Sequence, residues 1–382
     1  MPVLEKANKL LEDARVDAVI LTDPTNMRYL TGFTGEGYVI VSKTVSQIVT
    51  DSRYTLEATE KLADSGDIEV VEWNKKGYYR PVMDFVKNPQ IKSIGFEDRH
   101  LTVAAYRRFE KRLQRYVKLK PLHDAADALR QVKSPDEIEK IRLAEEIGDR
   151  AFARLMLDFG VSPERLGKAG EEVSAYHVPD SMIPTETSEK EIAWALERYL
   201  RIEGGERLSF DTIAASGLNG AKPHAIPTDK TPAAGELLTL DFGCVYNGYC
   251  SDMTRTIAVG EPSDELKRIY DTVLCAQETA LNEIRPGMTG AEIDALARDV
   301  IKEAGYGDKF GHSLGHSVGL NIHESPGFSS KEKTVIMPGM VVSVEPGIYV
   351  ENVGGVRIED LVAITEDGIE NLAKSEKSLI VI

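Results

Sequence analysis

Apolar residues dominate four short runs near the start of the chain, at 16–22 (VDAVILT), 37–41, 47–49 and 68–72 (IEVVE), each of strand length. Residues 4–14 and 102–115 instead place apolar side chains at helical spacing. This alternation over residues 1–130 predicts a compact α/β domain, and no glycine-rich phosphate loop interrupts it. A long helix then opens at Ser134-Pro135-Asp136-Glu137, a capping box with proline at the first helical position. The boundary is therefore placed at about residue 130, with a second domain over 131–382.

The second domain repeats itself coarsely. A helix (136–157), a second helix opened by Ser188-x-x-Glu191 and a strand pair around 237–258 are followed by a helix (263–284), another opened by Thr289-x-x-Glu292 and strands around 341–365. Helix, helix, hairpin occurring twice predicts two halves about a pseudo-twofold axis with a cleft between them. The class is α+β, a mixed α/β chain. Residues 160–186 fit neither half and read as an insertion with a short helix.

With 382 residues, 46 Lys+Arg and 62 Asp+Glu, the chain carries a formal charge of −16. That balance argues against nucleic acid and anionic membrane surfaces as partners. No run approaches the ~18 apolar residues of a membrane span, and the first residues lack the apolar core of a signal peptide. Three cysteines (Cys244, Cys250, Cys275), none in a CxxC pair, are too few for a disulfide framework. A cytoplasmic location is expected.

Three segments concentrate chemistry. In LLTLDFGCVYNGYCSDMTRT, Asn247-Gly248 between two β-type runs is a hairpin signal that pairs Tyr246 with Tyr249 and hence Asp241 with Thr254. Asp241, Asp252 and Thr254 then share one face, with the two acids diagonal at roughly 7–8 Å between backbones. In VVSVEPGIYVENVGGVRIEDLVAIT, Glu345 ends one apolar run and Glu359 sits inside another, where an unpartnered acid is costly. Arg357 shares the face of Glu359 and is placed to orient a carboxylate. For both pairs a solvated polar face is the plain alternative.

The third segment, FGHSLGHSVGLNIHESPG, holds His312, His316 and His323, three of seven histidines. GLNIHE alternates like a strand that aims His323 at one face. His224 lies on a proline-flanked loop, AKPHAIPTDK, ahead of the aspartate hairpin. Four carboxylates and a histidine, without thiolate, form a ligand set suited to Mn²⁺ and similar ions, and four negative charges balance two divalent cations. The combination predicts a two-metal hydrolase, with the spare histidines available for proton transfer and oxyanion stabilisation.

The order Asp, Asp, His, Glu, Glu on LDFG, SDMTRT, HSLGHSVGLNIHE, VEPGIY and GVRIED resembles the creatinase/prolidase/methionine aminopeptidase superfamily, whose catalytic domain has the pita-bread fold. TDPTNMRYLTGF and TDSRY resemble the N-terminal domain of its Xaa-Pro peptidase branch. The resemblance implies that Asp241 chelates one ion, that Asp252 and Glu359 bridge two, and that His316 and Glu345 complete the second site. It further implies a metal-bridging hydroxide as nucleophile, Glu345 as proton shuttle, and His224 and His323 at the scissile carbonyl or the leaving nitrogen. His312 is implied as a further active-site histidine, with Tyr349 and Arg357 in support and Thr254 supporting Asp252. The implied ions are two per subunit, Mn²⁺ first, with Co²⁺, Zn²⁺ or Fe²⁺ as alternatives. Small peptides with proline in second place are the implied substrates, and a homodimer the implied assembly.

In some dipeptidases of the family an arginine follows the HExP segment, whereas here HESP is followed by Gly327. A dipeptide's carboxylate needs a cationic partner, so the expectation is an Xaa-Pro aminopeptidase, with an Xaa-Pro dipeptidase as the alternative. A non-catalytic binding module and a creatinase-like C–N hydrolase are more remote.

Overall fold

Strands Ala18–Leu21 and Tyr38–Ser42 are buried along their whole length, and their alternate residues feed two separate cores. Val19, Leu21, Val39 and Val41 pack on one side of the sheet, Ala18, Ile20, Tyr38 and Ile40 on the other. A continuous apolar run is what a strand covered on both faces requires.

The computed structural model describes residues 3–62, 68–73, 77–177 and 187–382. It divides into two compact units, Met1–Arg130 and Gln131–Ile382. In the first, the described strands order as Glu69–Glu72, Ser46–Thr50, Tyr38–Ser42, Ala18–Leu21, Ser93–Phe96 and Lys118–Pro121, with parallel and antiparallel neighbours mixed. The chain is thus of mixed α/β class. Helices Val3–Ala14 and Val103–Leu113 lie where the apolar spacing puts them. Lys118–Pro121 escaped the pattern because lysines 118 and 120 leave Leu119 as its one apolar signal.

The second unit begins with helix Pro135–Asp158, capped reciprocally by Ser134 and Glu137. Helices Glu189–Ile202 and Gly290–Glu303 open on the capping boxes Ser188/Glu191 and Thr289/Glu292, and helix Asp264–Glu283 begins after Ser263. Each half contributes a sheet. Strands Met253–Val259, Glu236–Phe242 and Ile213–Ser216 form the first. Glu324–Phe328, Gly315–Ser317, Val341–Val344, Asp360–Ile364 and Ile369–Asn371 form the second. An antiparallel bridge between Thr254 and Glu359 joins the two sheets. Residues 163–166 form a 3₁₀ turn and Gly167–Ser174 a short helix, which buries Leu166 and Val173 in the core of the first half. The rest of the expected insertion, 178–186, lies outside the described residues. Among the described residues no helix is long and apolar enough to cross a membrane.

Behind the Thr254–Glu359 bridge lies Arg255, 2% exposed, which donates to Asp360 Oδ1 at 2.8 Å and to the Ser375 and Glu359 carbonyls. Removing one member of a buried ion pair leaves its partner desolvated and uncompensated. Arg255→Met is expected to destabilise this unit by about 3–5 kcal/mol, read as a lowered urea midpoint. A shift worth less than about 1 kcal/mol would show that Asp360 is satisfied by Lys377 and Gln277 alone.

Candidate functional site

The hairpin carrying the two aspartates keeps the register that counting back from Asn247-Gly248 requires. Tyr246 pairs with Tyr249, Thr254 with Asp241 and Met253 with Phe242, so no bulge intervenes between Asp241 and Asp252. Asn247 and Gly248 have φ of 46° and 82°, the left-handed pair that a tight two-residue hairpin loop needs. Between the paired stretches the Asp252 N–H leaves the ladder and donates to Glu145 Oε1 at 2.8 Å.

Opposite them, Glu345 follows strand Val341–Val344 and accepts from Ser343 Oγ at 3.2 Å. Glu359 is held by the inter-sheet bridge. The Nδ1 of His316 lies 3.2 Å from the Ser317 carbonyl, which can only accept, so Nδ1 carries the proton. Its Nε2 lone pair therefore faces Asp252 Oδ2 at 3.4 Å and Glu345 Oε1 at 3.5 Å. Burial, and then the neighbouring His323, pushes the His316 pKa down to about 4, which keeps the ring neutral. One ring nitrogen and two carboxylate oxygens thus converge on a common point.

Ligand atoms of Asp252, His316 and Glu359 lie within 4.8 Å of one another. Asp241 Oδ1 and Glu359 Oε1 are buried without a hydrogen-bond partner. Burial first, and then the surrounding carboxylates, raises the pKa of Asp252 and Glu359 well above the ordinary range. A donor set rich in oxygen and short of positive charge is what hard divalent cations fit.

Arg357 supplies the fixed cation. It donates to Asp241 Oδ2 at 2.5 Å, Thr254 Oγ1 at 3.2 Å, Tyr349 Oη at 2.8 Å and the Pro223 carbonyl at 3.2 Å. The carboxylate it orients is thus Asp241. Thr254 departs from expectation: its hydroxyl donates to Glu359 Oε2 at 2.6 Å rather than supporting Asp252, because the bridge seats Glu359 directly opposite it. His312 gives Nδ1–H to the Ser313 carbonyl and accepts from Tyr349 at Nε2, 3.0 Å away; burial holds its pKa at about 4.

The segment before His323 is also not the expected strand. Residues 319–323 are bends, since the Gly319 N–H donates to the Asn321 carbonyl and the Asn321 N–H to Glu324, leaving neither for a ladder. His323 is exposed and meets the His316 ring edge to face, centroids 4.4 Å apart. The five ligand-set residues, Arg357 and His224, His312 and His323 all line one cavity of about 510 Å³, whose apolar wall includes Phe210, Ile213, Ile226 and Ile322.

Residues 139–366 match Metallopeptidase family M24, and residues 4–132 match the Creatinase/Prolidase N-terminal domain. The chain belongs to metallopeptidase family M24. It is 37% identical over 380 residues to the Xaa-Pro dipeptidase of Pyrococcus furiosus, covering 99% of both chains. Among solved structures it superposes on an Xaa-Pro dipeptidase from Bacillus anthracis with a TM-score of 0.89, 40% identity and full coverage of both chains. An X-Pro aminopeptidase from Thermotoga maritima gives a TM-score of 0.85 at 35% identity, over 98% of this chain and 99% of that one. As an M24 peptidase the chain is a metal-dependent hydrolase with the pita-bread catalytic fold.

Two residues of this M24 site have weak or no sequence signals. Ser343 is two positions from Glu345 and so on its face, which period-two counting could have found. Glu145 is fully buried on helix Pro135–Asp158. Only its spacing from Ile141 and Gly148 distinguishes it from the helix's solvent-facing acids.

Proposed function

We propose that this chain hydrolyses the peptide bond preceding proline in Xaa-Pro dipeptides, with two divalent ions, Mn²⁺ foremost, held by Asp241, Asp252, His316, Glu345 and Glu359. The observation that carries the metal part is the neutral His316 Nε2 facing two carboxylates at 3.4 and 3.5 Å. The names of the relatives from P. furiosus and B. anthracis support the dipeptide part and outweigh the inference from Gly327.

Ions held there supply Lewis acidity for the scissile carbonyl and lower the pKa of a water molecule. Glu345 takes up the proton released by the nucleophile. That proton passes on through His323 or His224 to the leaving proline nitrogen, which restores the carboxylate for the next turnover. His224 and His323, on the cavity wall, hold the carbonyl oxygen and deliver a proton to the proline nitrogen. Tyr349, between Arg357 and His312, fixes both against Asp241 and the cavity. Phe210, Ile213, Ile226 and Ile322 receive the apolar parts of the substrate and exclude water.

A second reading, an aminopeptidase acting on longer peptides, is favoured by one observation. Arg357 is the only arginine or lysine among the described residues lining the cavity, and Asp241 and Tyr349 already engage it. The T. maritima relative is compatible with that reading. Turnover of Ala-Pro and Ala-Pro-Ala, in Mn²⁺ and after chelation, separates the two. Ala-Pro is expected to be the better substrate by at least about tenfold, roughly 1.4 kcal/mol in the barrier, with chelation abolishing both. Cleavage of the tripeptide alone establishes the aminopeptidase, and activity surviving complete chelation sinks the metal reading.

A further inference from the structure

Glu189 is the first residue of helix Glu189–Ile202 and is 0% exposed. The helix does not need it as a cap, because Ser188 and Glu191 form the capping box themselves. Its carboxylate instead accepts five hydrogen bonds from the stretch that carries His224. Oε1 accepts from the Ser216 backbone N–H at 2.7 Å and the Ser216 hydroxyl at 2.8 Å, where strand Ile213–Ser216 ends and the loop begins. Oε2 accepts from Asn219 Nδ2 at 2.8 Å, within the loop, and from the Thr228 N–H at 3.0 Å and hydroxyl at 2.7 Å, where it ends. One carboxylate thereby ties both ends of an irregular segment to a single rigid point.

The loop is held from two further directions. Arg357 Nη1 donates to the Pro223 carbonyl at 3.2 Å, next to His224. Gly220 lies against strand Gly354–Arg357, and a Cβ at Gly355 would come within 2.1 Å of its carbonyl oxygen. Five donors meeting two oxygens call for an ionised carboxylate, since an amide offers one acceptor and presents hydrogens at the other end. The first turn of a helix also favours negative charge. Burial opposes ionisation, but the donors from Ser216 and Thr228 outweigh it and keep the Glu189 pKa below the ordinary value.

We infer that Glu189 is a positioning residue that sets the place of His224 in the cavity by binding both ends of its loop. The inference rests on the reading that His224 contacts the substrate. Displacing a catalytic group by about an ångström costs roughly a hundredfold in rate, so the effect of Glu189 appears in kcat through His224.

The test is a double-mutant cycle of Glu189→Gln with His224→Ala, on the full chain loaded with Mn²⁺ and Ala-Pro as substrate. Glu189→Gln alone is expected to lower kcat about tenfold to a hundredfold, with KM and metal content near wild type. In the His224→Ala background the same change is expected to cost less than about twofold. Full additivity, or no effect of Glu189→Gln alone, overturns the inference while leaving the role of His224 intact. A silent His224→Ala overturns that role and the inference with it. Should Glu189→Gln fail to fold, Thr228→Val carries the same cycle, because it removes the hydroxyl that ties the far end of the loop to Glu189 Oε2 and leaves the carboxylate its other four donors.

Discussion

Asp252→Asn is expected to abolish turnover of Ala-Pro and to strip metal from the protein. Asp252 is 4% exposed, faces the His316 lone pair and has its own N–H fixed by Glu145. Asparagine keeps the volume but replaces an anionic oxygen with a neutral amide, removing a ligand that both ions are proposed to share. A fall of at least about a thousandfold in kcat/KM, some 4 kcal/mol of transition-state stabilisation, is expected together with substoichiometric metal by elemental analysis. Near-normal metal content with near-normal activity would remove Asp252 from the ligand set. Retained far-UV circular dichroism excludes simple unfolding as the cause.

His323→Ala is expected to separate chemistry from metal binding. The ring is exposed, packs edge to face on His316 and lines the cavity. Loss of a group that transfers a proton or holds the scissile carbonyl costs about a hundredfold to ten-thousandfold. Metal content is expected to stay at the wild-type level. If it collapses with activity, His323 is a ligand and the assignment of His316 as sole histidine donor is wrong.

Legibility followed the range of the interaction. The aspartate hairpin could be read by counting, because Asn247-Gly248 fixes a two-residue turn and every later pairing follows from it. Glu345 and Glu359 stood out because apolar neighbours make a buried acid conspicuous. The partner of Thr254 could not be read, since it depends on a bridge between two sheets whose joined residues are 105 positions apart. GLNIHE misled because alternation alone does not reveal where the backbone N–H groups go. Glu145 and Glu189 were invisible for a different reason. In a chain with 62 acidic residues, a buried glutamate on a helix looks like its solvated neighbours until its partners are known.

The separation along the chain between Thr254 and Glu359 also bears on when the enzyme comes into being. A ribosome adds about 5–20 residues per second, so the aspartate hairpin emerges about 5–20 seconds before the segment that completes it. For most of that interval the growing chain holds two of the acids but neither Glu345 nor Glu359. Peptidase activity is therefore withheld until the segment carrying Glu359 has joined the hairpin.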